Sequence, residues 1–232
     1  ANAVSERMVI TQAGNVGIGT SSPMNKLQLS HTAADGDNGL IIVREDTTTA
    51  ANDLLGGIGF DSTDGKVPSS ILEASAYIAG YASEDHGTGD KGGYLTFGTS
   101  SENDNDDTTA TERMRITDEG NVGIGTASPD SNLHISSGTS GDCILTLEAD
   151  TDNNNEDDNC FIIFKQDNSL PLSAVYTGNN TLNISNSVGS AGGIIFLTGT
   201  TNNYATATER MRIDETGKVG IGTTAPGSLL EV

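Results

Sequence analysis

One stretch recurs three times along the chain and constrains the fold more than any other feature. It reads S-E-R-M-V-I-T-Q-A-G-N-V-G-I-G-T at residues 5–20, T-E-R-M-R-I-T-D-E-G-N-V-G-I-G-T at 111–126 and T-E-R-M-R-I-D-E-T-G-K-V-G-I-G-T at 208–223. A proline follows each time (Pro23, Pro129, Pro226), and then a leucine (Leu27, Leu133, Leu230). The spacing is uneven and far longer than a solenoid or propeller repeat. It suits small domains joined by a standard connector. The predicted organisation is a connector at 1–26, a β domain at 27–108, a connector at 109–132, a β domain at 133–205 and a connector at 206–232.

The connector reads as a hairpin. Met114 and Ile116 alternate with Arg113 and Arg115, which is the two-residue period of a strand. Asp118-Glu119-Gly120 then forms a three-residue loop whose glycine supplies the left-handed backbone position. Gln12-Ala13-Gly14 and Glu215-Thr216-Gly217 do the same in the other repeats. On the return strand Val122 and Ile124 face one side, while Gly123 and Gly125 leave the other bare. Glycine weakens a strand interior. Its recurrence as Gly17 and Gly19, Gly123 and Gly125, and Gly220 and Gly222 predicts close packing on that face. The expected occupant is a neighbouring chain at a three-fold axis, the alternative being another part of the same chain. A nucleotide-binding loop is excluded, because V-G-I-G-T lacks the third glycine, the following helix and a Walker lysine.

The two inserts match each other. Leu40-Ile41-Ile42-Val43 aligns with Ile144-Leu145-Thr146-Leu147, and Gly57-Ile58-Gly59-Phe60 with Phe161-Ile162-Ile163-Phe164. Tyr94-Leu95-Thr96-Phe97 aligns with Ile194-Ile195-Phe196-Leu197. Short apolar runs bounded by Gly, Asn, Asp and Ser are the pattern of strands and turns. Residues 69–81 also carry a helical spacing (Ile71, Ala74, Ile78, Tyr81), but the matching stretch 173–185 alternates, so both read as strand. The fold class is all-β: repeated small antiparallel β-sandwich-like domains joined by β-hairpin connectors.

Only 34% of residues are hydrophobic, Trp is absent and 29 residues are glycine, so a single chain has little material for a thick core. With regular strand patterns present, that points to oligomerisation rather than disorder. The net charge of -21 excludes nucleic acid and anionic membrane surfaces as partners. No apolar run is long enough to span a membrane. Cys143 and Cys160 are too few for a disulfide framework and read as two buried free thiols, with a disulfide between them as the alternative. Both chain ends fall within the pattern, which predicts cuts through a longer polypeptide.

The motif E-R-M-R-I-x-x-x-G-N-V-G-I-G-T-x-x-P-x-x-x-L-x-V resembles the repeat of bacteriophage tail fibres and tailspikes, often found upstream of an endosialidase-type intramolecular chaperone domain. The resemblance covers the three connectors (6–27, 112–133, 209–230) and the inserts between them. The first repeat departs at Val9 and the third at Lys218. The family implies a homotrimeric β-structured fibre whose distal parts meet the host surface, located in the virion or outside the cell. Similar repeats in bacterial surface proteins keep a bacterial or archaeal extracellular filament or adhesin as the alternative, and a polysaccharide-degrading tailspike as a third. The partners expected are identical copies of the chain, other fibre or tail proteins and host-surface glycan.

No catalytic constellation emerges, and the chain is not expected to be an enzyme or to need a cofactor. The three histidines are scattered, and nothing resembles a nucleophile elbow. In the acidic stretch 150–158, Asp150, Asp152 and Asn154 stand at alternate positions, as Ca²⁺ ligands often do. The plainer reading is a solvated loop, since the turn glycine and closing glutamate of an EF-hand are missing. Glu112 with Arg113 or Arg115, and Glu209 with Arg210 or Arg212, are expected to form ion pairs between chains that set register.

Overall fold

Strands dominate the computed structural model of the chain, which describes residues 8–31, 39–62, 66–104, 108–149, 159–165, 173–178, 181–186, 193–199 and 207–232. The fold is all-β, as expected; the only helical element among the described residues is a 3-10 turn, Ile71–Glu73. The chain divides into two units, Ala1–Cys143 and Ile144–Val232.

The first unit holds two sheets. Strands β1 (Met8–Ile10), β2 (Val16–Ile18) and β3 (Leu27–Leu29) form one. The other has six strands in sequence order: β4 (Leu54–Phe60), β5 (Ala76–Ala82), β6 (Gly93–Thr99), β7 (Thr111–Ile116), β8 (Val122–Ile124) and β9 (Leu133–Ile135). Because β6 pairs with β7, a single sheet runs from insert into connector. In the second unit β10 (Phe161–Phe164), β11 (Ser173–Gly178) and β12 (Thr181–Asn186) form a three-stranded sheet. A four-stranded sheet follows, made of β13 (Ile194–Thr198), β14 (Thr208–Ile213), β15 (Val219–Ile221) and β16 (Leu230–Glu231).

The antiparallel order expected from sequence holds everywhere except the end of each connector. There the chain passes the proline and returns as a parallel strand: β3 on β2, β9 on β8, β16 on β15. Only residues 125–132 separate β8 from β9, shorter than the dozen or so that a parallel crossover normally takes. Tight docking of this loop on the sheet makes so short a return feasible.

The core lies on one face of the six-stranded sheet. Tyr77, Ala79 and Ala110 are buried, with Leu54, Ile71, Leu72 and Tyr81 packed around them. The 3-10 turn closes this face, capped at its start by the Ser70 hydroxyl, which accepts from the Leu72 N–H. The helical spacing of 69–81 thus resolves into a short turn followed by β5. Among the described residues no second sheet packs over the opposite face: β4 and β5 meet the 3-10 turn, and the segment around Ile42 reaches β4 at Gly56.

Candidate functional site

Each connector hairpin is closed by the same hydrogen bonds. In the second, the Thr117 N–H donates to the Asn121 carbonyl at 2.9 Å and the Gly120 N–H to the Thr117 carbonyl at 3.0 Å. Gly120 adopts φ +85°, the left-handed position assigned to it from sequence. The Thr117 hydroxyl accepts the Asn121 N–H at 3.1 Å. Thr11 does the same for Asn15 at 3.1 Å, and in the third hairpin the Asp214 carboxylate accepts the Lys218 N–H at 2.9 Å. That bond and those from Thr216 hold the Asp214 carboxyl below its ordinary range.

A β-bulge sits at the start of each of the last two connectors. Phe97 lies opposite Met114 and Gly98 opposite Glu112, so Arg113 has no counterpart in the register of β6; Arg210 is skipped in the same way between Phe196–Met211 and Leu197–Glu209. Residues three apart on a regular strand point to opposite faces, and the extra residue brings them back together. Glu112 and Arg115 therefore meet in a two-pronged pair, Nε to Oε1 at 2.6 Å and Nη2 to Oε2 at 2.8 Å. Glu209 and Arg212 repeat it at 2.7 and 2.8 Å. Of the two arginines the sequence offered each glutamate, the chain by itself pairs the second. The glutamates pair within the chain, with the second arginine, while Arg113 and Arg210 donate instead to Thr99 Oγ1 at 3.0 Å and Thr198 Oγ1 at 2.9 Å. The Arg115 guanidinium also lies 4.7 Å from the Tyr94 ring centre, and Tyr94 stacks on Tyr81 at 5.2 Å. Glu112 stabilises the Arg115 cation and raises its pKa, while burial raises that of the Tyr94 phenol.

The paired glycines meet another part of the same chain, the alternative left open from the sequence. The space beside five of the six is filled by the chain itself, while that beside Gly222 is open. A methyl group on Gly17 would stand 2.5 Å from the Thr20 carbonyl oxygen, and one on Gly220 2.7 Å from that of Thr223; on Gly123 it would fall on the Thr126 carbonyl. These are the loops that carry the chain past the proline to the parallel strand. Gly19, Gly125 and Gly222 have φ between +71° and +75°, and the return segments cross close to the first two at Ser30 and Ser136. The bare stripe is the seat of the chain's own short crossover.

The opposite face is apolar, and among the described residues no strand or helix covers it. One row crosses all six strands in register: Ile58, Ile78, Phe97, Met114, Ile124, Ile135. A second row, Leu95, Ile116, Val122 and Leu133, runs beside it. Ile58 is 49% exposed, Ile124 40% and Leu133 55%. With strands about 4.8 Å apart and rows about 7 Å apart, the patch spans on the order of 400 Å². That is at the upper end of what an isolated soluble domain keeps contiguous. The same rows recur as Met8, Ile18, Leu29 and Ile10, Val16, Leu27 in the first connector, and as Phe196, Met211, Ile221 and Ile194, Ile213, Val219, Leu230 in the third. The sequence signal was present in the alternation of Val122 and Ile124.

Asp150, Asp152 and Asn154 lie outside the described residues. Among the described residues no group of three His, Cys, Asp or Glu side chains is placed to hold a metal ion. Both cysteines are free; Cys143 is exposed rather than buried, since the segment that follows it joins no sheet.

No protein-family model matches the sequence, and no curated protein matches it. Solved structures do resemble the fold. The carboxy-terminal domain of the bacteriophage T5 L-shaped tail fibre superposes with a TM-score of 0.50 at 12% identity, over 87% of this chain and 92% of that one. The same domain with its intramolecular chaperone gives the same score and identity, covering 87% of this chain and 64% of the other. The chain has a tail-fibre-like fold.

Proposed function

We propose that the chain is a structural segment of a phage tail fibre. It assembles as a homotrimer through the apolar sheet face, joins other fibre or tail proteins, and holds a receptor-binding tip towards the host surface. The observation that carries this reading is the six-strand row from Ile58 to Ile135, an ordered hydrophobic surface with no strand or helix laid over it among the described residues. Burying it in water-excluded contact between copies is favourable at roughly 25 cal/mol per Å². The fold likeness to a T5 tail-fibre domain and the resemblance of the connector to fibre repeats support the setting, and the latter supports three as the number of copies. The role assigned is mechanical, not catalytic.

The test is the mass of the folded protein in solution. The expected value is about three times 23.9 kDa. Ile124→Asp, which sets a charge in the centre of the row, is expected to shift the protein towards the monomer. A wild-type protein that stays monomeric at micromolar concentration overturns the reading, and a stable dimer overturns the trimer.

A further inference from the structure

Two apolar stretches sit at matched places in the two units and join no ladder. They are residues 40–43 (Leu-Ile-Ile-Val) and residues 144–147 (Ile-Leu-Thr-Leu). Both have the composition of strands. Both are exposed, Ile41 at 80% and Ile144 at 75%. Among the described residues no backbone–backbone hydrogen bond reaches either of them. Each stretch therefore presents apolar side chains together with a run of amides and carbonyls that, among the described residues, make no backbone–backbone hydrogen bond, a combination that folded chains resolve by pairing.

Each stretch precedes a strand with an open edge. Among the described residues β4 ends the six-stranded sheet and pairs only with β5, and β10 ends its sheet and pairs only with β11. Among the described residues the stretches meet these neighbourhoods without a backbone–backbone hydrogen bond. Ile42 packs against Gly56, Arg44 Nη1 donates to the Leu54 carbonyl at 3.3 Å, and Cys160 Sγ donates to the Leu147 carbonyl at 3.0 Å.

We infer that residues 40–43 and 144–147 are strands completed only between copies of the chain, each laid along the open edge of β4 or β10 in a neighbouring copy. This rests on the self-association proposed above and names the backbone part of that interface. The partner is an identical copy because donor stretch and open edge occur together, in the same order, in both units. Copies arranged in a closed ring then satisfy every stretch and every edge with none left over. A foreign strand added to the edge would leave the stretches exposed.

Hydrogen–deuterium exchange on the assembled protein and on Ile124→Asp tests this. In the assembly the amides of 40–43 and 144–147 are expected to exchange at least ~100-fold more slowly than in free peptide, and to lose that protection in the dissociated variant while β5 and β6 keep theirs. An assembled protein in which these amides exchange freely overturns the inference and leaves self-association standing. Equal protection in assembled and dissociated protein means pairing within one chain and overturns it too. A wild type that never assembles overturns both. Should Ile124→Asp fail to fold, the double variant Ile41→Pro, Leu145→Pro decides. It alters exposed positions and removes one amide donor from each stretch, so it is expected to weaken assembly by at least about tenfold. Unchanged assembly in that variant counts against the inference.

Discussion

Glu112 and Arg115 show how one inserted residue redirects chemistry. On a flat strand they would face opposite ways; the bulge at Arg113 turns them into a two-pronged pair whose side chains are 27% and 17% exposed. Arg115→Ala should lower the unfolding free energy by about 1–3 kcal/mol, because Glu112 loses charge-assisted hydrogen bonds. Arg113→Ala, which gives up hydroxyl partners at the surface, should cost under about 0.5 kcal/mol. Denaturant melts of the two variants check the order. Asp214 makes a second case. Its folded pKa is depressed below 3.8, chiefly by the Lys218 N–H, so what it adds to stability is present above the unfolded value and lost as pH falls through the folded one. Asp214→Thr copies the hydroxyl acceptor used at Thr11 and Thr117 and should keep the hairpin while removing this acid-side dependence. A carboxyl-detected NMR titration of Asp214, set beside melts of the variant from pH 5 down to about pH 2, would show it.

The connector is more than a hairpin. Its third strand returns parallel after residues 125–132, and the glycine stripe makes that possible by letting the loop lie on the backbone. Gly120 and Gly123 separate the two uses of glycine. Nothing stands within 4 Å of a methyl group on Gly120, so Gly120→Ala should cost only the left-handed strain, roughly 1–2 kcal/mol. Gly123→Ala drives a methyl into the Thr126 carbonyl and must displace the crossover, which should cost more, at or above about 3 kcal/mol. Comparing the midpoints of urea unfolding for the two variants tests the ranking; equal costs would mean the loop is loosely held.

Across the whole chain the balance lies between apolar rows that favour association and a net charge of -21 on every copy that opposes it. Screening weakens the second without touching the first. Raising ionic strength from about 10 mM to about 150 mM should therefore tighten assembly, as measured by sedimentation over a dilution series. Weakening would mean that ion pairs across the interface hold the copies together, against the pairing of Glu112 and Glu209 within their own chain.

The all-β class, the hairpin turns and the alternation that makes one sheet face apolar were legible in the order of residues, because they depend on backbone geometry and a period of two. Gly14, Gly120 and Gly217 could be placed in their loops for that reason. The bulge at Arg113 was not legible, since no residue type marks an unpaired strand position; it arises when β6 and β7 settle into register across a long loop. Nor was the occupant of the glycine stripe. A bare backbone announces close approach without saying which atoms approach, and it is the folding-back of Thr126 and Pro129 that turns the stripe inward and leaves Ile124 and its row facing out.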